Sequence, residues 1–191
     1  MSTLSTNKII PATSTTVTLG DSGDTFALAS GASATGFGKV LQLITLTNGM
    51  KSDTFTTTST SWTDVTDLSL SITPSSSSNF VVVSLHTPIS NNYASARTHV
   101  QITRDGSAIA IGDAASSRTR GLAMYRGGDV DNVDTISTFF RDAPSSTSSL
   151  NYKVQMQVQS NTGVMNRNGL DGDADYTLRG ITTFSLMEIG A

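Results

Sequence analysis

Cysteine is absent from the 191 residues, glutamate occurs only at Glu188, and charged side chains make up just 14 % of the chain. Without cysteine there is neither a disulfide framework nor a thiolate zinc site, so stability has to come from apolar burial or from association with other chains. One glutamate against fourteen aspartates disfavours helix, because glutamate is a straight-chain helix former whereas aspartate prefers caps and turns. No stretch approaches the roughly eighteen apolar residues of a membrane helix, and Met1 to Pro11 lacks the apolar centre of a secretory signal. No membrane insertion and synthesis in the cytoplasm are therefore expected. The net charge is only −3, with basic residues scattered singly from Lys8 to Arg179, which leaves no footprint for nucleic acid.

What the chain does have is serine and threonine, roughly 30 % of all residues, arranged in short apolar alternations broken by turn residues. An all-β fold follows. Residues 1–38 read as a small hairpin and linker. Val17 and Leu19 alternate with threonines, Gly20 to Asp24 offers a turn, Phe26 and Leu28 resume the alternation, and Ala29 to Gly38 is a flexible run. Its few apolar side chains cannot offset about 1–2 kcal/mol of backbone entropy per ordered residue, so this segment is expected to act as an anchoring arm.

Residues 39–191 read as an antiparallel β-sandwich or jelly roll, with strands and turns recurring every eight to fourteen residues. Lys39 to Asn48 carries Val40, Ile44 and Leu46 on one face and Leu41 and Leu43 on the other, which predicts a central strand covered on both sides. Leu68, Leu70 and Ile72 alternate with polar residues up to Pro74, and Phe80 to Leu85 is densely apolar. Arg104-Asp105-Gly106-Ser107 predicts a hairpin turn. Val133 to Phe140 is rich in β-branched and aromatic residues. Tyr152, Val154, Met156 and Val158 alternate with Lys153, Gln155, Gln157 and Gln159, and a last strand is expected over about Leu178 to Ile189.

Chemistry-bearing constellations are sparse. The two histidines, His86 and His99, both fall on predicted strands, and no Gly-x-Ser-x-Gly elbow accompanies them. Asp171, Asp173 and Asp175 alternate in a way that could bind Ca²⁺. Tyr176 and Thr182 nevertheless stand where a calcium-binding EF-hand loop needs Gly and Glu, so a turn cluster is the better reading and no cofactor or metal is expected. A glycosidase needs a carboxylic acid with a raised pKa, and solitary Glu188 lies on the terminal strand. Trp62, Tyr93, Tyr125 and Tyr176 fall in or beside predicted loops and are candidates to stack on sugar rings or to form a subunit interface.

The stretch NKIIPATSTTVTLGDSGDTFALASGA (7 to 32) resembles the N-terminal segment of short fibre-like and virion-associated proteins of marine and cyanobacterial phages. DTFTTTSTSWTDVTDLSLSITPSSSSNFVVVSL (53 to 85), RDGSAIAIGDAASSRTRG (104 to 121), FFRDAPSSTSSLNYKVQ (139 to 155), NRNGLDGDADY (166 to 176) and LMEI (186 to 189) resemble the C-terminal β domain of the same group. These are turns and strand edges, and the likeness lies in their order over nearly the whole chain. The resemblance implies a non-enzymatic virion structural protein with a jelly-roll-like domain. It would be a homotrimer serving as a capsid decoration (cement) protein or a short tail fibre, joined to other virion proteins through residues 1–38 and facing a host surface glycan. The alternatives are a free-standing carbohydrate-binding module and a polysaccharide-degrading enzyme.

Overall fold

In the computed structural model, residues 40–191 are described. The predicted hairpin and linker of the arm lie outside them. Eleven strands follow in chain order: β1 (Val40–Thr45), β2 (Phe55–Thr57), β3 (Thr63–Ile72), β4 (Phe80–Asn91), β5 (Arg97–Arg104), β6 (Ser107–Ile109), β7 (Ala123–Arg126), β8 (Asp134–Asp142), β9 (Leu150–Val158), β10 (Gly163–Met165) and β11 (Thr183–Ile189). No helix occurs among the described residues.

All pairings are antiparallel. In the first sheet β11 pairs with β4 over Phe80 to His86 while β8 pairs over Val81 to Ile89, so the two flank β4 on opposite edges, and β1 adds to β11. Short β10 continues the β11 edge along the end of β4, with β2 beyond it. The second sheet runs β3-β9-β5, with β6 and β7 sharing the far edge of β5. Setting aside the three-residue strands β2, β6 and β10 leaves eight. Numbered in chain order, these run 1-8-3-6 in one sheet and 2-7-4-5 in the other, the order of a jelly roll. One continuous core fills the space between the sheets, with Val81, Val83, Leu85 and Leu186 from the first and Leu68, Ile102, Tyr152 and Val154 from the second.

Local chemistry accounts for the elements. Asp105 (φ 48°) and Gly106 (φ 81°) both take the left-handed region that a two-residue type I′ turn requires, so Arg104 faces Ser107 across the expected hairpin. In β3 the buried side chains are Val65, Leu68, Leu70 and Ile72, a pattern that skips one residue. A bulge between Asp64 and Ser69, with Asp67 at φ 63°, restores the inward phase. The inward half of the β9 alternation holds as predicted, with Tyr152, Val154, Met156 and Val158 all buried, but Gln157 on the face expected in solvent is buried too.

Two expectations about elements are corrected. β1 is not central: among the described residues it pairs only with β11 and forms a sheet edge. Apolar side chains on both faces mark a strand with something to cover, and its outward face is left exposed here rather than packed beneath another layer. The terminal strand starts at Thr183, with Leu178 exposed in the preceding loop.

Candidate functional site

The outward faces of the two sheets differ in chemistry. On the second sheet, Ser69 and Ser71 of β3 and Asn151, Lys153 and Gln155 of β9 point away from the core, as does Gln101 of β5, and they bond to one another. Asn151 donates to both serines, Gln101 Nε2 donates to Gln155 Oε1 at 2.7 Å, and Lys153 and Gln155 both donate to Asp64. These two bonds hold the Asp64 carboxyl below the usual carboxylate range. The face is polar without being uniformly solvated, since Gln101, Thr103 and Gln157 on it are buried.

The first sheet's outer face carries an apolar strip at one end and hydroxyl side chains and His86 further along. Because Val81, Val83 and Leu85 of β4 point inward, Phe80, Val82, Ser84 and His86 point out. Register then aligns Leu43 of β1, Met187 of β11 and Val82 of β4 in one row, ending at Arg141 of β8. The next row holds Thr45, Ser185, Ser84 and Phe139, and Ile189 lies beside Phe80. Leu43 is 55 % exposed and Phe139 74 %. The one charge in these rows, Arg141, lies over the Phe80 ring at 3.4 Å, a cation–π contact that leaves the surface without a carboxylate.

The histidines sit apart. His86 is on the outer face of the first sheet, exposed, and His99 is on the outer face of the second, half-buried. Glu188 points inward from β11 and is fully buried. It accepts from Gln42 Nε2 (2.6 Å), Asn79 Nδ2 (2.6 Å), Ser75 N (2.7 Å) and Ser75 Oγ (2.8 Å). Burial acts to raise its pKa, but these hydrogen bonds outweigh burial and leave it lowered, the opposite of what a general acid needs.

Among the aromatic candidates, Tyr125 is corrected: it lies on β7, is buried in the core, and donates its hydroxyl to the Asn132 carbonyl at 2.9 Å, so it cannot stack on a ligand. Its side chain is directed inward by its register opposite buried Thr98. Trp62 is half-buried, with its ring packed against Gly121; a Cβ there would come within 3.2 Å of Trp62 Cη2. Tyr93 and Tyr176 are exposed. Asp171, Asp173 and Asp175 do not converge. Asp171 pairs with Arg179 and Arg167, and no group of three metal-ligating side chains occurs among the described residues.

The apolar strip and an arginine cluster beside His99 are the features that residue patterns left unassigned. The run Phe80 to Leu85, apolar at both parities, carried the first signal. Set beside protein-family models and curated proteins, the chain matches none of them.

Proposed function

We propose that the protein is a non-enzymatic structural subunit of a phage virion. In this reading it is a homotrimeric surface appendage that decorates and stabilises the capsid or forms a short tail fibre contacting the host. Residues 1–38 attach it to other virion proteins, and the jelly roll projects outward. The observation that carries the reading is the apolar strip on the outer face of the first sheet, where Leu41, Leu43 and Phe139 are exposed beside half-buried Val82 and Met187, set against a polar, internally bonded face on the other side. A surface of that kind is costly on a lone chain and is relieved by closure against sister subunits. The trimeric number and the phage setting come from the ordered resemblance of the turn and strand-edge segments. The separated histidines and the lowered pKa of Glu188 favour this role over polysaccharide cleavage.

Sedimentation velocity of the full chain at micromolar concentration is expected to give a species of three times the chain mass. Leu43→Lys places a cation in the apolar row and is expected to weaken assembly by about a hundredfold, about 3 kcal/mol. A wild-type chain that sediments as a monomer, and that mass spectrometry does not find in purified particles, refutes the proposal.

A further inference from the structure

The second sheet's outer face holds a cluster that its polar ladder does not absorb. Arg97 of β5 stands directly opposite Arg126 of β7, and His99 opposite Met124. Thr98 and Val100 are buried, so Arg97 and His99 share the outward face. From the connection between β6 and β7, Arg118 lines a cleft with His99 and Met124, while Arg120 donates Nε to the Gly112 carbonyl at 2.7 Å. None of these four arginines forms an ion pair with a described carboxylate; the paired arginines are Arg104, Arg167 and Arg179. Like charges directly opposite one another in a sheet destabilise it, so the Arg97–Arg126 pair, with no carboxylate partner among the described residues, marks a place where an anion would be stabilising.

Beside the Arg97–Arg126 pair lies a cleft of about 400 Å³ lined by His99, Arg118, Thr119, Gly121, Ala123 and Met124, with Arg118 its one guanidinium, within the usual size range for small-ligand sites. Gly121 is needed here, since a Cβ would meet the Val100 carbonyl at 3.1 Å and the Trp62 ring at 3.2 Å. His99 Nδ1 is shut off from solvent with no partner. An orphaned lone pair is tolerated better than an orphaned N–H, which assigns the ring proton to Nε2. Burial, and secondarily Arg97, lower the His99 pKa and keep the ring neutral.

We infer that this cleft binds an acidic saccharide, with Arg118 taking the sugar carboxylate, Thr119 and His99 its hydroxyls, and Ala123 and Met124 the apolar face of the ring. Nucleic acid fits less well, because His99 is the one aromatic ring in the lining and Arg118 the one guanidinium, too few to track a run of stacked bases and phosphates. The inference takes its source of ligand from the host-facing role proposed above, and the two fail separately. Trimers that bind no sugar overturn the site alone, and monomers that bind it overturn the assembly alone.

The test is calorimetric titration of the full chain at low salt with tetragalacturonate and with a sialic acid tetramer. The methyl ester of the first and a thymidine oligonucleotide of equal charge serve as comparisons. Binding of at least one acid is expected, with the ester or the Arg118→Ala chain weaker by about tenfold or more. Arg118 is exposed, and an unchanged thermal melt would show that this variant folds. Failure of both acids to bind at millimolar concentration overturns the site. So does equal affinity for ester and acid, indifference to Arg118→Ala, or tighter binding of the oligonucleotide.

Discussion

Replacing Glu188 with Gln is expected to lower the stability of the domain by about 3 kcal/mol and the melting temperature by roughly 10 °C, read by circular dichroism. The carboxylate accepts four hydrogen bonds from neutral donors in a buried site, and an amide cannot accept them all. Gln42 cannot turn its amide to help, because its Nε2 also donates to the Thr73 carbonyl at 2.8 Å. Two donors would then face each other across a part-buried contact. The sign of the pH dependence follows from the lowered pKa. Stability from Glu188 is fully present above the unfolded carboxylate value of about 4.3, and it is lost as pH falls through the lower folded value. Wild type and variant should therefore converge in acid, and a gap that widened as pH fell would refute this account.

The second large effect is expected at Asp142, at the end of β8. Its carboxylate accepts from Arg104 Nη1 of β5 (2.5 Å) and Tyr152 Oη of β9 (2.6 Å), so it ties one sheet to the other. The side chains of Arg104 and Asp142 are 27 % and 13 % exposed, which places the pair between surface and interior. Burial first, and Asp142 second, push the Tyr152 hydroxyl far above its ordinary pKa, so it remains a donor at every accessible pH. Asp142→Ala leaves both donors unpaired and is expected to cost about 3 kcal/mol. Tyr152→Phe alone should cost about 1 kcal/mol, and the double variant little more than Asp142→Ala, because the same bond is removed twice. Chemical denaturation of the four chains measures this, and simple additivity would mean that the contact is energetically silent.

How far the residues foretold the structure varied with the range of the interactions involved. The inward half of the β9 alternation and the Asp105-Gly106 turn were readable because each is decided within a few residues. The β1 placement was not, since apolar side chains at both parities say that two faces are to be covered without saying by what. Tyr125 was obscure for another reason: β7 is four residues long and runs into Gly127 and Gly128, so its surroundings read as loop. The arginine cluster could not be foreseen either. Arg97 and Arg126 meet only through the pairing of β5 with β7, across the whole intervening connection. Glu188 was noticed for its rarity, but the donors around it come from β1 and from the turn before β4, and no local pattern announces them.

The pairing of β1 with β11 also bears on how the molecule is made. Gln42 and Glu188 are 146 residues apart, so the first strand of the jelly roll leaves the ribosome long before its only described neighbour exists. Until then Leu41, Leu43 and an unpaired backbone edge stay available to any passing chain, and closure of so distant a contact is slow. Nascent chains synthesised side by side would meet through that strand first, which makes synthesis rate and chaperone supply determinants of the yield of soluble protein.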